Sequence, residues 1–143
     1  MLDGKHIFVV DDDFRNRLIY KVLLPQCSAT YEVEGWGPDV LDHLERCERV
    51  DLIIMDLMLP YGISGYDLCS RIRALPQYDG IPIVAISASD PDTAIPRAKE
   101  MGFSGYIAKP VDQSLFPTQL VQILDGEGVW HPGNRFANVH SSY

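Results

Sequence analysis

The strongest constraint on the fold is a set of short apolar runs, each stopping on a polar residue that can do chemistry. Residues 6–10 run into Asp11-Asp12-Asp13, residues 52–55 into Asp56, residues 83–86 into Ser87, and residues 106–108 into Lys109-Pro110. The runs at 52–55 and 83–86 are apolar at every position, and unbroken apolarity over a strand-length segment means that both faces are covered. Residues 30–34 alternate as a further strand before the turn Gly35-Trp36-Gly37. Helical spacing fills the intervals: Leu18, Ile19, Val22 and Leu23 up to Pro25; Val40, Leu41 and Leu44 after Pro38; Leu68, Ile72 and Leu75 between Gly65 and Pro76. A less apolar helix follows Ser89-Asp90-Pro91 to about Met101, and Leu115, Leu120, Val121, Ile123 and Leu124 mark a last one. This alternation predicts an α/β fold, a doubly wound five-stranded parallel sheet of order 2-1-3-4-5 in a three-layer sandwich. Strands one and three are then neighbours where the order reverses, so Asp11, Asp12 and Asp56 meet at one edge with Ser87 and Lys109 nearby.

Composition limits what such a fold can serve. The chain has 143 residues, 46% of them hydrophobic and 22% charged, which suits one packed domain. The apolar runs are far shorter than the roughly 18 residues of a membrane span, and residues 1–5 show no signal-peptide pattern. A cytoplasmic protein without membrane attachment is expected. Twenty acids against twelve bases give a net charge of −8, a poor basis for phosphate neutralisation, so direct nucleic-acid binding is not expected and protein partners are. Cys27, Cys47 and Cys69 lack CxxC spacing and read as small buried thiols rather than a disulfide framework or zinc site. His6, His43, His131 and His140 are expected to share no cluster and to have no metal or catalytic role. Residues 125–143, rich in Gly, Pro, Asn and Ser, have no period and read as a short packed or frayed tail in which Trp130, Phe136 and Tyr143 offer docking side chains.

The edge residues point to phosphoryl chemistry. Two carboxylates 4 Å apart repel by about 1 kcal/mol in water and about 4 kcal/mol at an effective dielectric of 20, so three in one crevice call for a cation. Hard oxygen donors without nearby His or Cys favour Mg2+. A divalent ion and an ammonium neutralising phosphoryl oxygens while Asp56 attacks is a workable arrangement. Asp13 is placed to cap the first helix, Ser89 suits a cap before Asp90-Pro91, and Asp51 lies at the wrong end of its strand to join the site.

Val9-Val10-Asp11-Asp12, Leu52-Ile53-Ile54-Met55-Asp56 with Pro60 beyond, Ala85-Ile86-Ser87-Ala88 and Gly105-Tyr106-Ile107-Ala108-Lys109-Pro110 occur in the order and spacing of a known family. Residues 5–124 resemble the receiver domain of two-component response regulators, of the stand-alone chemotaxis type with a flavodoxin-like fold. The resemblance implies a receiver over 1–124, with 125–143 a tail and no separate output domain. It implies that Asp56 accepts a phosphoryl group from the phosphohistidine of a histidine kinase or histidine phosphotransfer protein, in a phosphorelay. Asp11, Asp12 and Asp56 would hold Mg2+ with the backbone carbonyl of Met58. Ser87 would bond the phosphoryl oxygens, Lys109 would pair with the phosphoaspartate, and Tyr106 would turn inward as Ser87 moves. The Lys109-Pro110 bond would be cis. Such a domain catalyses only its own phosphorylation and dephosphorylation; its output is docking to a downstream protein, or phosphorylation-dependent homodimerisation, on the face of the fourth helix, fifth strand and fifth helix.

Two departures stand out. Gly65 lies nine residues after Asp56, one more than usual, so the intervening loop is longer; Met58 and Ser89 lack the amide or acid that would orient water against an acyl phosphate, which implies a long-lived phosphoaspartate. Two other readings compete. A haloacid-dehalogenase-like phosphohydrolase also uses strand-end acids, a hydroxyl and a Lys, but places its nucleophile on the first strand and needs a later acidic motif. A phosphorylation-independent interaction module would have lost metal acids or lysine, and all are present.

Overall fold

Period-two alternation in the strands and period-3.6 stripes in the helices sort the side chains into two cores, one on each face of a sheet. The computed structural model describes residues 1–133. In chain order the elements are β1 His6–Val10, α1 Phe14–Gln26, β2 Thr30–Glu34, α2 Val40–Arg46, β3 Leu52–Asp56, α3 Gly65–Arg73, β4 Ile83–Ser87, α4 Pro91–Glu100, β5 Gly105–Ala108, α5 Phe116–Leu124 and β6 Val129–His131. All neighbouring strands pair in parallel, in the order β2-β1-β3-β4-β5-β6. Phe8, Val10, Ile53 and Met55 point to the layer of α2, α3 and α4, where they meet Leu44, Ile72 and Ala98. Their neighbours Ile7, Val9, Leu52 and Ile54 point to α1 and α5, meeting Leu24, Phe116 and Leu120.

Among the described residues the sheet has six strands, not five. Val129, Trp130 and His131 pair with Gly105, Tyr106 and Ile107 of β5. Three residues are too few to show a period, and this strand lies in the stretch that reads as a tail. Gly105 admits it: a Cβ there would stand 2.8 Å from the carbonyl oxygen of Val129. The Lys99 ammonium of α4 lies 5.0 Å from the Trp130 ring centroid, a cation–π contact from helix to new strand. Phe136, His140 and Tyr143 lie outside the described residues.

The face of α1 also differs from its hydropathy. Its buried residues are Asn16, Tyr20 and Leu24, whereas Leu18 and Val22 are exposed. The inward stripe carries polar atoms that a hydrophobic period does not register, and the helix continues through Pro25 to Gln26. Asp13 caps α1 as expected, accepting from the amides of Arg15 and Asn16. Asp90, not Ser89, caps α4 by accepting from the Asp92 amide. Cys69 is buried, but Cys27 and Cys47 are only partly so.

Between β3 and α3 the chain forms a small hairpin: Leu59 donates to the Ile63 carbonyl at 3.0 Å and Met58 bridges to Ser64. The additional residue of this loop is taken up at its tip, where Tyr61 and Gly62 have φ of 60° and 71°. Gly65 then donates to the Leu57 carbonyl at 3.0 Å. A Cβ on Gly65 would overlap the Asp56 carbonyl oxygen and stand 2.8 Å from Leu57 Cα. Gly65→Ala is therefore expected to cost about 1–3 kcal/mol through overpacking against backbone. Urea unfolding of the variant beside the parent measures this; equal stability would show that the β3 end gives way freely.

Candidate functional site

Register brings the site together. Val10 pairs with Met55 across β1 and β3, so the residues that follow, Asp11 and Asp56, leave the sheet at the same level. Asp56 is opposite Ile86 of β4, and Ser87 opposite Ala108 of β5, so Ser87 and Lys109 leave one step further along the same edge. A cavity of about 300 Å³ opens there, lined by Asp12, Asp13, Asp56, Met58, Ala88 and Lys109.

One ammonium faces the carboxylates. Lys109 Nζ lies 2.9 Å from Asp56 Oδ2, 3.3 Å from Asp13 Oδ2 and 3.7 Å from Asp11 Oδ1. The peptide bond from Lys109 to Pro110 is cis, as the motif implies. Asp13 thus has a second task, capping α1 with one oxygen and pairing with Lys109 through the other. Its position after Asp11-Asp12 marks it only as a cap, because the ion pair depends on a residue 96 positions away.

Asp11 is fully buried, and its charge is held by groups that hydropathy misses. Oδ2 accepts from Asn16 Nδ2 at 3.1 Å and from the Tyr20 hydroxyl at 3.0 Å; Oδ1 accepts from the Asp13 amide at 2.9 Å. Asn16 and Tyr20 follow at helical spacing on the inward face of α1, a signal visible in the sequence once polar residues are included in the stripe. Asp56 is nearly buried, and Oδ1 accepts from the Met58 amide at 3.0 Å.

Burial dominates the electrostatics of Asp56. It pushes the carboxyl up from 3.8 to about 6, the Met58 amide and Lys109 oppose the rise, and the Asp11 charge adds to it. For Lys109, burial works against the ammonium, yet the bond to Asp56 and the fields of Asp11, Asp56 and Asp13 prevail and raise its value. Asp13 ends below the usual carboxylate range: burial opposes this, but Lys109 and the α1 amides outweigh it.

Oxygen donors of Asp11, Asp12 and Asp56 all lie within 4.8 Å of one another. This all-oxygen set fits a hard divalent cation such as Mg2+ and offers nothing to a softer ion. Ser87 is not in the cavity lining; its hydroxyl donates to Ser89 Oγ at 2.8 Å and accepts from the Ser89 amide at 3.0 Å. Ser89 therefore holds Ser87, in addition to lying 3.6 Å from the Met58 sulfur. Tyr106 is fully buried, with its hydroxyl donating to the Ser89 carbonyl at 3.2 Å. Asp51 is at the opposite end of β3, accepting from the His6 amide at 2.8 Å. His6 and His43 do share a cluster, contrary to their scatter in sequence: both ring systems converge on Glu32.

The raised value for Asp56 fixes a sign for pH dependence. The folded state holds this proton more tightly than the unfolded chain, so the contribution of the group is greatest below 3.8, falls as pH rises toward about 6, and is level above. Asp56→Asn removes the ionisation. Its stability advantage over the parent is expected to grow from about pH 4 to about pH 7 in divalent-free buffer, read by urea midpoints; a constant difference would contradict the raised value.

The comparisons with known proteins agree with this geometry. The model of the response regulator receiver domain matches residues 7–121. A cyclic di-GMP phosphodiesterase response regulator of Xanthomonas campestris pv. campestris is 32% identical over 76% of this chain, which spans 29% of that protein. An uncharacterised 14.6 kDa protein of Leptolyngbya boryana is 31% identical over 82% of the chain and 86% of its own length. A transcriptional regulatory protein of Streptomyces coelicolor is 30% identical, and the chain spans half of it. Among solved structures, the receiver domain of a sensor histidine kinase from Pseudomonas aeruginosa PAO1, with a magnesium ion coordinated in its active-site cleft, superposes with a TM-score of 0.74 at 25% identity, covering 85% of this chain and 98% of that one. A chemotaxis response regulator of Vibrio cholerae shares the fold, with a TM-score of 0.75 at 22% identity over 83% of this chain and 98% of that one. With the family's model covering most of its length and the strand-end acids and lysine gathered at one edge, the chain belongs to the response regulator receiver domain family.

Proposed function

We propose that this receiver accepts a phosphoryl group on Asp56 from the phosphohistidine of a histidine kinase or a histidine phosphotransfer protein, in a two-component phosphorelay. The observation that carries the reading is the 2.9 Å pair of Lys109 with a nearly buried Asp56 beside two further acids whose oxygens face the same space. An Asp56 oxygen attacks phosphorus, the phosphorus–nitrogen bond to the imidazole breaks, and the leaving nitrogen keeps the electron pair. Asp11, Asp12, Asp56 and the Met58 carbonyl would hold Mg2+, which supplies charge neutralisation for the transferred oxygens. Lys109 neutralises the remaining charge, and Ser87 bonds the phosphoryl group once its hydroxyl leaves Ser89.

Release of Ser87 from Ser89 links the site to Tyr106, since the Tyr106 hydroxyl bonds the Ser89 carbonyl. Phosphorylation thereby acts on the flank of α4, β5 and α5, whose outer edge is here formed by β6 and not by β5, and this flank is the surface proposed for a downstream protein or for phosphorylation-dependent homodimerisation. Three free cysteines suit a reducing compartment, and the reading places the protein in the cytoplasm. No helix among the described residues is long and apolar enough to cross a membrane. Nothing favours the phosphohydrolase: Asp11, which would be its nucleophile, already bonds Asn16, Tyr20 and the Asp13 amide.

Incubation with a small acyl phosphate and Mg2+, read by intact mass, is expected to add one phosphoryl group to the parent and none to Asp56→Asn. Labelling that survives the substitution would overturn the assignment. Lys109→Ala is expected to slow labelling by about a hundredfold, the scale of losing one charged donor to transferring oxygens.

Met58 is exposed and apolar and the Ser89 hydroxyl contacts Ser87 and the Met58 sulfur, so neither position carries an amide or acid to orient water for attack. The phosphoaspartate is expected to outlast removal of the donor by minutes or more, followed by mass spectrometry after desalting; decay within seconds would count against it.

A further inference from the structure

We infer that His6, Glu32 and Cys47 form a second metal site, for a zinc-class ion, on the face of the sheet under α2. His6 opens β1, Glu32 lies mid-way along β2, and Cys47 follows the last turn of α2. Pairing of His6 with Thr30 sets the register, and Glu32, two residues on, shares the same face as Thr30. His6 Nε2 lies 2.6 Å from Glu32 Oε2, and Cys47 Sγ donates to that oxygen at 3.2 Å. All three donor atoms lie within 4.8 Å of one another. Tetrahedral zinc, with Zn–N and Zn–O of about 2.0–2.2 Å and Zn–S of about 2.3 Å, spaces its ligands about 3.3–3.7 Å apart. The separations of 2.6 and 3.2 Å lie just under that range and all three fall within 4.8 Å, so the site needs modest side-chain rotations to take the ion.

The ligands are oriented from behind. His6 Nδ1 lies 2.7 Å from Thr30 Oγ1, which turns Nε2 toward Glu32. The second Glu32 oxygen lies 3.1 Å from His43 Nε2, while His43 Nδ1 lies 2.9 Å from Glu34 Oε1. The His43 ring packs edge-on against Phe8, with centroids 5.0 Å apart. Such outer partners fix ring orientation and carboxylate aim at metal sites. A cavity of about 350 Å³, lined by His6, Glu32, Cys47, Glu48, Arg46 and Arg49, leaves a fourth position to water or Glu48. Arg49 is partly neutralised by Asp51 at 3.0 Å; Arg46 opposes the ion.

The donor set of imidazole, carboxylate and thiol selects Zn2+ or Co2+ over Mg2+. On binding, the Cys47 S–H bond breaks, its proton passes to solvent and the sulfur keeps the electron pair for the metal, with no change of oxidation state. The ion would tie β1, β2 and the end of α2 together. Its donors are distinct from those of the acidic cavity.

The test adds Co2+ to the full chain with excess Mg2+ present to occupy the acidic edge. A thiolate-to-cobalt charge-transfer absorption saturating at one equivalent is expected, lost in Cys47→Ser and in His6→Gln and kept in Cys27→Ser. In the parent, Zn2+ is expected to slow alkylation of Cys47 by about tenfold or more, since a coordinated thiolate is withdrawn from reaction, and to leave Cys27 unchanged by peptide mapping. Absence of the absorption, its persistence in Cys47→Ser, or an unchanged Cys47 alkylation rate overturns the site. The alkylation measurement decides the matter even where a variant does not fold.

Discussion

The structure depends on the attraction of one ammonium for a crowd of carboxylates at a sheet edge. Asp11, Asp13 and Asp56 sit within reach of a single Lys109 and Asp12 faces the same space, so the edge keeps a net negative charge after pairing. That charge is destabilising by itself, and the fold supports it with hydrogen-bond donors arranged from behind: Asn16, Tyr20 and the amides of Asp13 and Met58. An edge under such repulsion is ready for added positive charge. The same imbalance that costs stability is what gives the cavity its affinity for a cation.

Most of this was legible because it sits in strands. Apolar runs of fixed length with polar stops announce both the parallel sheet and the identity of its rim, so the order of the first five strands and the meeting of Asp11, Asp56 and Lys109 follow from pattern. The rest is hidden for two reasons: a hydropathy period does not register polar partners, and some contacts local in space are distant in sequence. The inward face of α1 is chosen for bonding Asp11, so Asn16 and Tyr20 take places that hydropathy would give to Leu18 and Val22. Val129–His131 is three residues long and becomes a strand only because Gly105 lets it approach. His6, Glu32, His43 and Cys47 are separated along the chain and brought together by strand register and by the end of α2.

The two faces and two ends of the sheet carry different chemistries. At the C-terminal edge, hard oxygen atoms and a lysine surround a polar cavity; toward the start of β1, nitrogen, sulfur and oxygen donors gather over β2. Between these sites along β1 lie Ile7 to Val10, all apolar and fully buried. Along β1 the clusters are separated by packed hydrocarbon, while along β2 the bonds of His43 to Glu32 and Glu34 run part of the way between them. The opposite preferences of the donor sets for hard and borderline ions follow from where each strand stops or starts.

The sixth strand has a consequence for recognition. In a five-stranded sheet, β5 would present a free row of amides and carbonyls beside α4 and α5, a template that another chain could extend. Here β6 already occupies that row, and the Lys99–Trp130 contact pins it to α4. Among the described residues, only three positions of β6 remain on the outside of that flank. The backbone template offered to a visitor is thus a short one, and selectivity on this flank rests more on shape and charge than on strand augmentation.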